Sequence, residues 1–104
     1  MTIQDQITYT IQTIISGYAP EKIIIFGSYA TNDANENSDL DLLIIKKTHE
    51  PFYHRLRQVR KLFNKQLLPL DLFVFSPEEF EENKNKINHI ANIALKKGVV
   101  AYEK

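Results

Sequence analysis

The sequence predicts an α/β domain of the α+β kind, with helices packed on a small mixed sheet. Three observations carry that prediction: short apolar runs bounded by Gly, Pro or Asp, longer stretches with helical apolar periodicity, and the alternation of the two along the chain. The 104 residues suit one domain spanning 1–104. With 43% hydrophobic and 25% charged residues the composition is that of a folded protein rather than a disordered one. Thirteen basic residues balance thirteen acidic ones, which removes the general electrostatic case for direct nucleic-acid or membrane-surface binding. Without Cys there is no disulfide framework, thiolate metal site or Cys nucleophile. No apolar run approaches the ~20 residues of a membrane span and no signal-peptide core opens the chain. A soluble, cytoplasmic protein is the expectation.

Ile3, Ile7, Ile11, Ile14 and Ile15 fall on one face of a helix over residues 2–16. Thr2 is its expected N-cap, with Asp5 three residues on, and Gly17 its stop. Lys22 to Phe26, between Pro20 and Gly27, is short and apolar on both faces, hence a buried strand. A polar segment from Thr31 to Ser38 leads into the second strand, Asp39 to Ile45. Pro51 fits the first turn of a helix over residues 52–65 whose inner face is Phe52, Leu56, Val59 and Phe63. Leu70 to Phe75 is the third strand, apolar except for Asp71. Ser76-Pro77-Glu78-Glu79 starts a helix: serine cap, proline at the first position, glutamate three after the cap. That helix breaks in the Asn83 to Asn85 region, resumes through Ile87, Ile90, Ala91 and Ala94, and stops at Gly98. Val99 to Tyr102 forms a short last strand.

Three carboxylates then stand among apolar neighbours. Asp39 and Asp41 share a strand face with Leu43 and Ile45, and Asp71 shares one with Phe73 and Phe75. The Cα atoms of the first pair lie roughly 6–7 Å apart, so their carboxylates can converge. If the two strands are neighbours, all three acids crowd together. Two carboxylates ~4 Å apart repel by about 4 kcal/mol at an effective dielectric of about 20. The nearest basic residues, Lys46 and Lys65, adjoin neither group in sequence. Protonation, solvation, a distant basic residue or a cation must compensate, and an all-oxygen donor set suits Mg²⁺ or Mn²⁺ rather than zinc. Taken alone, such an Asp-x-Asp is more often the solvated fringe of a strand.

Gly27-Ser28 alters that balance. It follows the first strand directly and opens a segment able to form a helical turn, whose backbone N–H groups suit an anion. Glycine lets a phosphate approach the backbone closely. Gly-Ser, ten residues, Asp-x-Asp and a third Asp on the next strand together supply a phosphate cradle beside a divalent-cation cage.

Gly27-Ser28-Tyr29-Ala30-Thr31-Asn32, closing on Ser38-Asp39-Leu40-Asp41-Leu42, resembles the signature of the polymerase-beta-like nucleotidyltransferases. Within that superfamily the chain looks most like the minimal nucleotidyltransferases, the MNT-type proteins encoded beside HEPN-domain proteins. The resemblance continues through Asp71 to Phe80 and the closing Gly98 to Tyr102. It implies a polymerase-beta palm-like fold and transfer of a nucleoside monophosphate from an NTP to a hydroxyl, with pyrophosphate leaving. Asp39 and Asp41 would hold two Mg²⁺ ions, Asp71 would complete one of them and take the acceptor's proton, and Gly27 and Ser28 would hold the β- and γ-phosphates. Size implies that the acceptor comes from another chain. In the MNT/HEPN pairing the antitoxin transfers AMP from ATP to a tyrosine of the HEPN ribonuclease toxin.

Tyr29, Thr31 and Asn32 depart from the Arg, Arg and Gly frequent at those family positions. Asn tolerates a left-handed backbone, so the turn survives, while positive charge beside the triphosphate is lost. A binding-only regulatory subunit, or the catalytic half of a two-component small-molecule nucleotidyltransferase, are the alternatives. Tyr29 is a candidate for stacking on a base. His54, Arg57, Lys61 and Lys65 read as a solvated face, Glu78, Glu79, Glu81 and Glu82 as a favourable helix start, and His49, His54 and His89 as surface residues.

Overall fold

The computed structural model describes residues 1–65 and 68–104. Nine elements follow in order: α1 (Ile3–Tyr18), β1 (Lys22–Phe26), α2 (Ser28–Thr31), β2 (Leu40–Ile45), α3 (Phe52–Arg60), β3 (Leu70–Phe75), α4 (Pro77–Asn83), α5 (Ile90–Lys97) and β4 (Val99–Glu103). The strands form one mixed sheet in the order β3-β2-β1-β4. β1 runs antiparallel to β2 and β4, whereas β2 and β3 are parallel and joined through α3.

Both sheet faces are covered, which is why the strands read as continuous apolar runs. On one face Ile23, Leu40, Leu42, Ile44, Leu72 and Val74 meet Ile7, Ile11, Ile14 and Tyr18 of α1 and Val59 of α3. On the other, Ile24, Phe26, Leu43 and Ile45 meet Phe80 of α4 and Ala91 and Ala94 of α5. Asp41 and Asp71 share the second face, because Asp41 pairs with Phe26 and with Asp71.

The sequence-based boundaries hold within a residue or two for every strand, and the exceptions have local causes. Gly17 does not stop α1. The helix continues to Tyr18 and is closed by Ala19 at φ 51°, while Gly17 makes room for Leu62: a Cβ there would stand 2.6 Å from the Leu62 Cδ2. Pro51 is the N-cap of α3 rather than part of its first turn, and the helix ends at Arg60 instead of 65. Phe52 is exposed, and the polar residue Arg55 takes the inner position at 6% exposure. Ile87 lies outside both C-terminal helices, 85% exposed. Thr2 with Asp5 and Ser76 with Glu79 form the expected reciprocal caps.

Candidate active site

β1 delivers the chain to Gly27, whose φ of 72° and ψ of −152° belong to a region essentially reserved for glycine. Crowding fixes the same choice: a Cβ on Gly27 would lie 2.0 Å from the Asp41 Oδ2. The Asp41 carboxylate therefore rests directly against the Gly27 backbone, a coupling of turn and acid that spacing alone did not disclose.

Strand register does the rest. Phe26, Asp41 and Asp71 form one row across β1, β2 and β3, and the row behind it is Ile24, Leu43 and Phe73. The Phe26 and Phe73 rings lie 5.9 Å apart and give Asp41 an apolar surround. Neighbouring strands are spaced about 4.8 Å apart, so Asp41 and Asp71 are side by side at the start of two parallel strands. Asp39, one residue before β2, is exposed, as is Asp71, while Asp41 is half-buried. Burial first, then the charges of Asp71 and Asp39, push the Asp41 carboxyl above its ordinary range. Among the described residues no lysine or arginine forms an ion pair with any of the three.

The donor set is all oxygen, which fits Mg²⁺ or Mn²⁺. As the side chains stand, no three His, Asp or Glu among the described residues converge closely enough to hold an ion. The exposed Asp39 and Asp71 side chains can change rotamer to close that arrangement.

Around the turn, the Ala30 and Thr31 N–H groups donate to the Gly27 carbonyl, and Asn32 adopts φ 65°, the left-handed conformation expected of it. The Asp33 N–H donates to the Ser28 carbonyl, and the Thr31 hydroxyl donates to the Asp33 carboxylate at 2.7 Å. Tyr29 is half-buried against the α1 side of the core.

Residues 11–101 match the family model of the nucleotidyltransferase domain. This chain belongs to that family. No protein of curated function matches it. Among solved structures, a candidate nucleotidyltransferase from Sulfolobus solfataricus superposes with a TM-score of 0.67 at 19% identity, over 96% of this chain and 79% of the other. At that identity the likeness speaks for the fold, and it agrees with the mixed sheet and helices described above.

The nucleotidyltransferase domain also contains a polar centre that sequence reading missed, at the opposite ends of β2 and β3. The Arg55 guanidinium donates to the Glu50 carbonyl at 2.8 Å, the Val74 carbonyl at 3.0 Å and the Glu79 carboxylate at 2.6 Å. The hydrogen bond from Arg55, and behind it that from the Ser76 N–H, hold the Glu79 carboxyl below its usual range despite partial burial. Lys46 donates to the Tyr18 and Ala19 carbonyls, closing the end of α1. A signal existed: residue 55 stands three after Phe52 and four before Val59, on the stripe assigned to the core. His54 bonds Glu50 at 2.6 Å and His89 accepts from the Ala91 N–H as the cap of α5, so neither is an idle surface residue.

Proposed function

We propose that this nucleotidyltransferase domain is a minimal, MNT-type enzyme of the cytoplasm, the antitoxin of a HEPN-domain toxin, moving AMP from ATP to a tyrosine hydroxyl of that ribonuclease. The observation that carries the transferase reading is the Asp41–Asp71 pair in parallel register, with Asp41 seated on Gly27 and, among the described residues, no lysine or arginine in an ion pair with either acid. The resemblance at Gly27-Ser28 and Ser38 to Leu42 supports the subtype and the partner.

In this reading Asp39, Asp41 and Asp71 would hold two Mg²⁺ ions, which would supply neutralisation of the charge that develops on transfer. Gly27 and Ser28 bind and orient the β- and γ-phosphates. Asp71, the exposed member of the pair, accepts the acceptor hydroxyl's proton. The hydroxyl oxygen forms a bond to the α-phosphorus, the bond to the bridging oxygen breaks, and pyrophosphate leaves with that electron pair. Catalysis is positioning and electrostatics, with Asp41 and Asp71 set by strand register and Gly27, Ser28 and Asp39 by the turn and the start of β2.

A second reading draws on the turn itself. Tyr29 packs partly against the core, the Thr31 hydroxyl donates to Asp33, and neither neutral side chain brings positive charge to a triphosphate. A regulatory subunit that binds nucleotide and neutralises its partner without transfer would tolerate that loss.

Coexpression with the HEPN-domain partner, followed by intact mass measurement with ATP and Mg²⁺, separates the readings. The enzyme reading expects AMP adducts on the partner that disappear in Asp39→Asn and Asp41→Asn. Equal protection by wild type and both variants, with no adduct, establishes the binding-only subunit. An unmodified partner together with a labelled small acceptor points to the two-component enzyme.

A further inference from the structure

The crossover through α3 carries positive charge to the acid end of the sheet. Because β2 and β3 are parallel, the helix between them runs back against both, and its last turn stands beside the start of β3. Tyr53, Arg57 and Arg60, at helical spacing, share one outward stripe of that helix. All three are exposed, Tyr53 by 67%. Arg60 closes the stripe at the sheet edge, where its guanidinium donates to the Leu70 carbonyl at 3.4 Å, one residue before Asp71. No Asp or Glu occurs in the sequence between Glu50 and Asp71, and Glu50 is itself bonded to His54 at 2.6 Å. Among the described residues neither Arg57 nor Arg60 has an ion-pair partner. A chain with no net charge thus gathers unpaired positive charge on one helix flank.

We infer that the stripe of Tyr53, Arg57 and Arg60 docks an acidic segment of the protein that carries the acceptor hydroxyl, an inference that rests on the transferase reading above. Position assigns the stripe to the acceptor. The phosphate-binding turn at Gly27 and Ser28 follows β1, while the stripe flanks β3, two strands away or roughly 10 Å. A molecule crossing the α3 flank therefore meets Asp71, the proposed proton acceptor, before it reaches the turn that holds the triphosphate. Charge assigns the partner's sign, since unpaired arginines on an exposed flank attract acidic groups and repel basic ones. The neighbouring acids select a polypeptide over a nucleic acid. A run of phosphates continuing past Arg60 would be driven against Asp71 and Asp39, both exposed, whereas a protein can end its acidic segment before them. Tyr53 adds an exposed ring beside the arginines, and these two residue types are the ones enriched where proteins meet.

Fluorescence anisotropy with the full chain tests this, using a labelled glutamate-rich peptide that contains one tyrosine and a labelled single-stranded DNA oligonucleotide. The peptide is expected to bind, with a Kd that rises roughly tenfold in Arg57→Glu and less in Arg57→Ala. Lys96→Glu, the same charge change on α5 across the sheet, should leave binding unchanged. Far-UV circular dichroism verifies that each variant stays folded. No binding of the peptide, equal loss in Arg57→Glu and Lys96→Glu, or tighter Arg57-dependent binding of the oligonucleotide overturns the inference. Transfer to the acceptor protein is read separately: Arg57→Glu should raise the acceptor concentration needed for half-maximal adduct formation and spare the plateau. An unchanged half-maximal concentration overturns the inference as well. Absence of adducts at any acceptor concentration, with Arg57-dependent peptide binding intact, overturns the transferase reading and leaves the docking surface standing.

Discussion

The two ends of the parallel pair β2–β3 are opposites. At their far end Arg55 and the Ser76 N–H donate to Glu79, and Lys46 donates to the Tyr18 and Ala19 carbonyls, so each of these charges has a partner within hydrogen-bonding distance. At their near end Asp41 stands beside Asp71 and Asp39 over an apolar floor, and burial together with those two charges pushes its carboxyl above the ordinary range. One end is arranged for stability. The other is left unfinished, and an unfinished charge set at a strand end is what a charged substrate and its cations can complete.

Breaking the near end should have the largest effect, and on transfer alone. Asp41→Asn is expected to lower nucleotidyl transfer roughly a thousandfold, about 4 kcal/mol of transition-state stabilisation, as measured by product formation. The same change should leave the melting temperature unchanged or a little higher, because it removes repulsion rather than an attractive contact. A substantial fall in melting temperature would mean that the acids are structural.

Gly27→Ala comes next, at about 3 kcal/mol of stability by denaturant titration, since it combines a glycine-only backbone with a clash on Asp41. In an Asp41→Ala background the cost should shrink, because the atom that clashes is gone.

At the far end, Arg55→Met is expected to cost about 2 kcal/mol, leaving the Val74 and Glu50 carbonyls and Glu79 without their donor. Half of the Glu79 side chain faces water, which moderates the loss. Transfer by the folded fraction should be unaffected.

The smallest effect separates the ends by pH. Glu79 has a folded value below its unfolded 4.5, so its contribution is present above pH 4.5 and is lost as pH falls through the folded value. Asp41 has a folded value above 3.8, so its penalty is full above that folded value and relieved as pH falls towards 3.8. Wild type should therefore hold its stability on mild acidification and lose stability below pH 4.5. Asp41→Asn should remove the first behaviour and Arg55→Met much of the second, both read from denaturation midpoints.

Much of this layout was legible in the residues. Ile23 to Phe26, Leu40 to Ile45 and Leu70 to Phe75 announced strands because two-sided burial demands unbroken apolar runs, and Ser76-Pro77-Glu78-Glu79 announced a helix because reciprocal capping needs that spacing. The acids stood out because charge in such runs is costly. Two features were hidden. Arg55 was masked by its apolar neighbours, since periodicity counts hydrophobic positions and does not ask which charged side chain a distant Glu79 can neutralise. The fit of Gly27 to Asp41 was hidden because a close approach across strands leaves no mark in local sequence. Gly17 misled for a related reason: it marks contact with Leu62 rather than a helix end.

The grip of α3 on β3 has one more consequence. A strand slipped by a single residue turns all its side chains to the opposite face. Arg55 on Val74 and Arg60 on Leu70 hold β3 at two points four residues apart, so sliding it past β2 would break both. The face on which Asp71 emerges is thus decided by a helix that does not reach it. These two arginines fix which way Asp71 points without touching it.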